Sequence, residues 1–284
     1  MSDKSLLRRL ADSVSLAAMR PPRRLPARTR VELRGKRILL TGASSGIGAA
    51  AAHKFAAAGA SVILVARRAD LLAEVADAIT GEGGAARAVP CDLADLDAID
   101  ELTKNVGPVD ILINNAGRSI RRPLAESLDR WHDVERTMTL NYYSPLRLIR
   151  GLAPGMLERG DGHVINVASW GVMNEAAPLF AVYNASKSAL AAVSRVIETE
   201  WADQGVHSTT LYYPLVATPM IAPTRDYDGL AALSADEAAE WMLTAARTRP
   251  VRIAPRLAVT SRTVDIISPE LVTGLMKRQG FQPG

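Results

Sequence analysis

Hydrophobic and polar positions follow two different spacings along most of this chain. From Lys36 onward, short apolar runs alternate with longer stretches whose apolar residues recur at helical spacing. The short runs predict strands at residues 38–41, 62–66, 88–90, 110–114, 163–168, 206–213 and 251–253. The longer stretches predict helices at residues 49–58, 71–79, 128–159, 183–203 and 236–247. This alternation is typical of an α/β fold in which helices cross over a parallel sheet.

The two ends of the chain fall outside that alternation. Residues 4–19 have the spacing of a short amphipathic helix, and the prolines and arginines that follow predict a cationic connector. We therefore expect an N-terminal arm at 1–33, a catalytic domain at 34–258 and a C-terminal tail at 259–284. The arm is compatible with peripheral membrane contact, with packing on its own domain, and with bridging between subunits.

The segment 219–233 is rich in Pro, Asp and Gly and is too irregular for a core element. It follows a predicted strand end, where open α/β sheets bind ligands. It is therefore predicted to be a substrate lid, with a passive surface loop as the alternative.

Charge is distributed unevenly along the chain. The net charge of +4 divides into +8 over residues 1–37 and −4 over the remainder. A basic arm on a mildly acidic body does not favour nucleic-acid binding by the body. No nucleic-acid partner is predicted.

Cysteine and histidine usage bounds the remaining chemistry. The single Cys91 excludes an internal disulfide, and the four histidines lack metal-ligand spacing. No metal is predicted. The chain has no signal-peptide pattern and no apolar run long enough to span a bilayer, so a cytoplasmic location, with possible membrane association through the arm, is expected.

A glycine-rich turn, TGASSGIG at residues 41–48, joins the first predicted strand to an alanine-rich helix. Glycines let the backbone approach a pyrophosphate closely, and the helix start offers unpaired N–H groups. The predicted phosphate-binding residues are Gly42, Ser44, Ser45, Gly46, Ile47 and Gly48. At the end of the second strand, Arg67 and Arg68 stand where a carboxylate would bind a ribose 2′-hydroxyl, which favours NADP(H) over NAD(H).

Tyr183 and Lys187 are four residues apart on a predicted helix, so their side chains share one face. An ammonium group beside a phenol is expected to lower the phenol pKa from about 10 toward neutrality. Tyr183 would then be a usable general acid and base.

Taken together, the 41–48 turn, NNAG at 114–117, Asn141, Ser169 and the Tyr183–Lys187 pair resemble the short-chain dehydrogenase/reductase superfamily in order and spacing. The resemblance covers roughly residues 35–255. It implies a Rossmann-like, doubly wound parallel sheet of about seven strands with helices on both faces, and usually a homodimer or homotetramer.

The resemblance also implies residue roles. Ser169 would bind the substrate oxygen, Tyr183 would exchange the proton, Lys187 would tune Tyr183 and hold the nicotinamide ribose, and Asn141 would anchor a water relay. The cofactor residues implied are Asp92, Leu93, Asn115, Ala116, Gly117, Tyr183 and Lys187, followed by Pro214, Val216 and Thr218. Asn114 would brace the sheet or contact the cofactor. Leu215 stands where glycine is common in the family, so the local backbone is expected to differ there.

A closer resemblance to bacterial fatty acyl-CoA reductases of the short-chain type is carried by residues 111–123, 127–142, 218–224 and 249–254. It implies reduction of a fatty acyl-CoA thioester to a fatty aldehyde. A ketone reductase acting on 3-oxoacyl, steroid or other lipid-like carbonyls is an alternative, as is a non-catalytic NADPH-binding scaffold. Arg118, Arg121 and Arg122 would either meet CoA phosphates or be solvated, and Cys91 is expected to be a packing residue.

Overall fold

The computed structural model describes residues 18–19, 21, 30–173, 176–222, 227 and 229–278. Most of the predicted N-terminal arm therefore lies outside the described residues. Leu33, which the sequence analysis assigned to the arm, is buried in the main core. Its neighbour Val31 donates a backbone hydrogen bond to Arg247 O at 2.8 Å. The end of the arm is thus part of the packed domain.

The described residues contain a seven-stranded parallel sheet. Its strands are Arg37–Thr41 (β1), Ser61–Ala66 (β2), Ala85–Pro90 (β3), Ile111–Asn114 (β4), Gly162–Ser169 (β5), Val206–Tyr213 (β6) and Arg252–Ile253 (β7). The order across the sheet is β3-β2-β1-β4-β5-β6-β7. All neighbouring pairs are parallel. The predicted fold class is confirmed.

Helices cover both faces of the sheet. They are Gly46–Ala57 (α1), Ala69–Gly81 (α2), Leu96–Asn105 (α3), Trp131–Met138 (α4), Ser144–Arg159 (α5), Ala181–Trp201 (α6), Ala235–Thr248 (α7), Arg256–Ile267 (α8) and Pro269–Arg278 (α9). Successive residues of a strand point to opposite faces. Ile38 and Leu40 of β1 accordingly pack in the core under α1, α2 and α7, whereas Leu39 packs under α3, α5 and α6.

Three helical features differ from the sequence prediction. Helix α3 was not predicted, although Asp95 caps it by accepting hydrogen bonds from Asp97 N and Ala98 N. The predicted helix 128–159 is divided by a π-helical turn at Thr139–Tyr143. The segment predicted as a tail contains α8 and α9, and α8 packs through Ala258 against the chain that follows Ser169.

Within the described part of the chain, no helix is long and apolar enough to cross a membrane. The same residues contain no group of three or more His, Cys, Asp or Glu side chains able to hold a metal ion.

Candidate active site

The site lies where the connections of the sheet change direction. From β1 the chain proceeds outward to β2 and β3, whereas β4 lies on the other side of β1 and leads to β5, β6 and β7. A crevice forms at the carboxyl ends of strands at such a point. The segments that leave β1, β4 and β5 there are residues 42–48, residues 115–117 and Ser169.

The turn after β1 leaves no room for side chains on its inner wall. A β-carbon on Gly48 would lie 2.1 Å from Gly42 O, and one on Gly42 would lie 3.0 Å from Ala116 Cα. Gly42 and Gly46 have φ values of +67° and +56°, which favour glycine. Helix α1 begins at Gly46, so its free N–H groups face the crevice as a phosphate site requires.

Thr41 fastens this turn to the next segment. Its hydroxyl donates to Ile113 O at 3.1 Å and accepts from the backbone N of Asn115 and of Ala116 at 2.9 and 3.0 Å. The Asn115 side chain donates to Thr41 O at 3.0 Å. Asn115 therefore shapes the crevice through the β1 turn. The sequence analysis did not assign Thr41 a role, although its place at the head of the glycine motif was a usable signal.

The sequence left two roles open for Asn114, bracing of the sheet and contact with the cofactor, and its hydrogen bond in the structure is a bracing one. It is 1% exposed, and its Nδ2 donates to Asn166 Oδ1 on β5 at 2.8 Å. This bond ties β4 to β5 behind the site.

The predicted adenosine end of the site has a mixed pattern. Arg68 donates to Ser44 Oγ at 3.2 Å and to Ser45 Oγ at 3.1 Å, so its guanidinium lies at the glycine turn. The adjacent Arg67 is exposed. Asp92 is also exposed and accepts from Ala94 N at 3.0 Å.

The residue after Asp92 belongs to the packed interior. Leu93 is buried, and its carbonyl accepts a hydrogen bond from Ser144 Oγ. Cys91 packs at the edge of the core, where burial raises the pKa of its thiol.

Tyr183 and Ser169 meet at the catalytic end of the crevice. The Ser169 side chain lies near the Tyr183 hydroxyl, and the Phe180 ring packs edge-on against the Tyr183 ring with centroids 6.1 Å apart. Burial raises the pKa of Tyr183 to about 12, although the nearby Ser169 acts in the opposite direction. The expected lowering of this pKa was wrong for this state, because removal from water disfavours the phenolate.

Lys187 lies one helical turn beyond Tyr183 and is 3% exposed. Its Nζ donates to Val167 O of β5 at 2.9 Å. Burial lowers the pKa of Lys187 to about 8, since the ammonium loses its hydration. Lys187 therefore titrates close to neutral pH.

Asn141 lies in the π-helical turn and is fully buried. Its Oδ1 accepts from Arg118 N at 2.9 Å, and its Nδ2 donates to Arg118 O at 2.9 Å and to Ser186 Oγ at 3.0 Å. Pro145 has no N–H, so the Asn141 carbonyl lacks the donor that the residue four positions on ordinarily supplies.

Gly117 shows how closely these groups converge. A β-carbon placed on Gly117 would lie 3.2 Å from both Asn141 Oδ1 and Lys187 Nζ. The predicted catalytic side chains thus line one connected space. Two further polar residues were missed in the sequence: Ser186, which joins Asn141 to Tyr183 O at 2.7 Å, and Asn184, which donates to Gly171 O at 3.2 Å.

The segment after β6 closes over the glycine turn. A β-carbon on Gly46 would lie 3.3 Å from Thr218 Cγ2, and Val216 forms a bridge with Leu233. Leu215 accepts from Leu233 N at 2.9 Å. Leu215 is not among the described non-glycine residues with positive φ, so the backbone here needs no glycine.

The predicted lid is anchored at its base by these bonds between 215–217 and Leu233. Residues 223–226 and 228, in its middle, lie outside the described residues. Of its described apolar side chains, Met220 and Leu230 are more than half exposed. Leu233, at the end of the segment, is buried in the main core.

These residues fit a dinucleotide. Gly48 lets the first turn of α1 lie against the Gly42 carbonyl, and the start of α1 and the Arg68 guanidinium supply donors at this turn. The fold and the site together define a nicotinamide-dependent oxidoreductase.

Comparison with known proteins agrees with this class. A family model described as short chain dehydrogenase matches residues 36–228. The chain belongs to the short-chain dehydrogenase family.

Among its relatives, a Mycobacterium tuberculosis protein named fatty acyl-CoA reductase is 68% identical over 98% of both chains. An Acinetobacter baylyi protein of the same name is 47% identical over 89% of this chain and 87% of its own. The solved structure of a short-chain dehydrogenase from Sphingobium yanoikuyae in complex with NADPH has 28% identity and a TM-score of 0.71, covering 88% of this chain and 98% of that one.

Proposed function

We propose that this enzyme uses NADPH to reduce a fatty acyl-CoA thioester to a fatty aldehyde and free CoA. The juxtaposition of Tyr183 and Ser169, beside Lys187 and Asn141, is the observation that carries the reduction. The substrate class is supported by the two relatives named fatty acyl-CoA reductase.

The preference for NADPH rests on the adenosine end of the crevice. Ser44 and Ser45 hold Arg68 at the glycine turn. Arg67 and Arg68 stand at the position where a carboxylate would bind a ribose 2′-hydroxyl. Guanidinium groups bind phosphate oxygens strongly. We expect Arg67→Gln together with Arg68→Gln to raise the KM for NADPH at least tenfold and to leave the KM for NADH within twofold.

The role of each catalytic side chain follows from its state in the site. NADPH held in this crevice would supply the hydride for reduction of the substrate carbonyl. Ser169 and Tyr183 donate hydrogen bonds to the carbonyl oxygen as negative charge develops on it. A phenol with a pKa of about 12 holds its proton at neutral pH, which suits proton donation to that oxygen.

The proton supply lies behind Tyr183. With a pKa of about 8, Lys187 both gains and loses a proton near neutral pH. Asn141 is buried within reach of the same space at Gly117 and can order water there. These two residues would return a proton to Tyr183.

Thioester reduction needs no further nucleophile. Hydride addition converts the thioester to a thiohemiacetal, whose carbon–sulfur bond breaks as the carbonyl re-forms. The proton on the oxygen passes to the departing CoA sulfur as this bond breaks, and Tyr183 regains the proton that it donated through Lys187 and Asn141. The overall change is one thioester, one NADPH and one proton to one aldehyde, one CoA thiol and one NADP⁺.

Product analysis tests this proposal. Purified enzyme is incubated with NADPH and decanoyl-CoA, and NADPH oxidation, free thiol and aldehyde are measured together. Equal amounts of thiol and aldehyde are expected. Tyr183→Phe should reduce the rate at least a thousandfold, whereas Tyr143→Phe, on an exposed tyrosine, should retain it.

Two outcomes would contradict the proposal. Turnover of ketones alone, with no thiol release from any acyl-CoA, would make the protein a ketone reductase. NADPH binding without turnover of any carbonyl would favour the scaffold alternative. Full activity of Tyr183→Phe would refute the catalytic assignment in either case.

The remaining expectations concern assembly and organisation. We expect a homodimer or homotetramer and the domain limits given above, with the arm as a possible membrane contact. Light scattering of the full chain measures its mass in solution, and flotation with anionic vesicles, with and without residues 1–30, tests the arm.

A further inference from the structure

A group of arginines lies at the rim of the crevice and has no part in the proposed chemistry. Arg122 Nη1, Arg130 Nε and Arg136 Nη2 lie 2.6, 3.0 and 2.8 Å from carboxylate oxygens of Asp133. Arg118 interacts electrostatically with both Asp133 and Arg136. These five residues are called here the arginine cluster.

The arginine cluster is held in place by the catalytic elements. Both backbone polar groups of Arg118 are hydrogen-bonded to the Asn141 side chain at 2.9 Å. Arg122 N donates to Leu179 O at 2.9 Å, and Leu179 directly precedes the Phe180–Tyr183 ring contact. Leu179 has a φ of +72°, a strained value for a non-glycine residue that is retained beside the site. The cluster is therefore fixed relative to Tyr183.

Charge in the cluster is unbalanced. Three guanidinium groups contact the single buried carboxylate, and that of Arg118 is close enough to interact with it electrostatically. The hydrogen bonds from Arg130, Arg122 and Arg136 hold the pKa of Asp133 well below its usual range. The Arg118 guanidinium has no hydrogen bond or ion pair to any residue that the structure describes. Its burial and the nearby Arg136 lower its pKa.

The three bonds to Asp133 stabilise the fold, but one carboxylate cannot neutralise four guanidinium groups. The excess like charge at short range is unfavourable. A half-buried guanidinium without an acceptor leaves strong donors unused. Local violations of this kind are expected where a ligand supplies the missing partner.

We infer that the arginine cluster binds the phosphate groups of the CoA part of the substrate, with Arg118 as the principal contact. CoA carries a diphosphate and a 3′-phosphate, separated from the thioester by the long pantetheine arm. A phosphate site must therefore reach solvent, as the partly exposed Arg130 and Arg136 side chains of the cluster do. This inference rests on the proposed function, since it supplies the recognition of the CoA carrier.

A comparison of two thioesters tests the inference. Decanoyl-CoA and decanoyl-N-acetylcysteamine have the same acyl group and thioester, but the second has no phosphate. For Arg118→Gln, and for the more exposed Arg136→Gln, the ratio of the KM for decanoyl-CoA to that for the truncated thioester should rise about tenfold. The matched control Arg150→Gln, on an exposed arginine of α5, should not change this ratio.

Two results in this assay would overturn the inference. An unchanged ratio in both cluster variants would mean that the cluster does not bind the CoA phosphates. A rise in the KM for NADPH with no change in that ratio would assign Arg118 to cofactor binding. This is the main rival role for Arg118, because it interacts electrostatically with Arg67 at the predicted adenosine end.

A binding measurement separates this inference from the proposed function. Calorimetric titration of CoA into enzyme saturated with NADP⁺ needs no turnover. The wild type should bind CoA, and Arg118→Gln should bind it about tenfold more weakly. CoA binding without thioester turnover would refute the proposed function alone. Absence of CoA binding would refute the inference. Turnover of thioesters only on an acyl carrier protein would also refute the inference.

Discussion

The buried ammonium of Lys187 gives a prediction in which stability and activity change in opposite directions. Burial lowers its pKa from 10.5 to about 8, so folding at neutral pH requires an unfavourable charge in the core. Lys187→Met keeps an unbranched chain of similar length and removes that charge. We expect the variant to be inactive and yet more stable than the wild type near pH 7.

The magnitude follows from the two pKa values. At about 1.4 kcal/mol per pH unit, a difference of about 2.5 corresponds to roughly 3 kcal/mol at pH 7. Against this, Val167 O would lose its 2.9 Å hydrogen bond from Lys187, which costs about 1–2 kcal/mol. The net gain should be about 1–2 kcal/mol, or several degrees in Tm for a chain of this size.

The difference in stability between the wild type and Lys187→Met should depend on pH. Between pH 8 and 10.5 the unfolded chain binds a proton at Lys187 that the folded protein does not, so wild-type stability rises with pH in that window. The penalty should fall to roughly 1 kcal/mol at about pH 9.5. The variant should then have lost its advantage.

Thermal unfolding at pH 7 and pH 9.5, followed by circular dichroism, measures how the stability difference between the two proteins changes with pH. Lys104→Met is the matched control, because Lys104 is exposed and pairs only with Glu101 on its own helix among the described residues. It should change Tm little at either pH. A Lys187→Met protein that is less stable than the wild type at both pH values would refute the assignment of a buried, unfavourable ammonium.

Three further changes test other parts of the structure. Gly48→Ala should abolish saturable NADPH binding in a fluorescence titration, because its methyl group would lie 2.1 Å from Gly42 O. Gly274→Ala meets nothing within 4 Å and should bind normally, so equal binding by both variants would show that the close approach of Gly48 to Gly42 is not required. Ser234→Ala should lower the free energy of unfolding by about 1 kcal/mol in denaturant titration, because it removes the hydrogen bond that Glu237 N donates to Ser234 Oγ. An unchanged midpoint and slope would show that the cap is neutral. Burial holds the pKa of His163 well below 6.5, so below that pH the unfolded chain takes up a proton that the folded protein does not. Wild-type stability should therefore fall between about pH 7 and pH 5, and the fall should be smaller for His163→Gln. Identical profiles of stability against pH for the two proteins would contradict this role of His163.

The sequence was sufficient for the parts of the fold that depend on local pattern. All seven strands were predicted within three residues at each end, because most are buried apolar runs between turn signals. In β3, which has no buried residue, the first three residues were missed. Helix α3 was missed, although Asp95 and the apolar spacing of Ile99 and Leu102 mark it. Helices α8 and α9 carry many exposed apolar residues, so no clear polar face distinguished them from a tail.

For the site, the motifs identified the residues but not their physical state. Tyr183 and Lys187 are four positions apart, and that spacing alone suggested that the ammonium would acidify the phenol. The outcome depends instead on how much water each side chain loses, which is set by β5 and by segments far away in sequence. Contacts such as Ser186 with Asn141 are equally non-local.

The opposite pKa shifts of Tyr183 and Lys187 have one cause and one consequence. In water a tyrosine and a lysine lose their protons at nearly the same pH, about 10 and 10.4. Burial favours the neutral form of each, which raises the pKa of Tyr183 to about 12 and lowers that of Lys187 to about 8. The same removal from water therefore keeps the proton on the group that must donate it and makes the group behind it the one that titrates near neutrality. An ionisation near pH 8 in kcat/KM thus belongs to Lys187, since the free enzyme keeps Tyr183 protonated throughout that range.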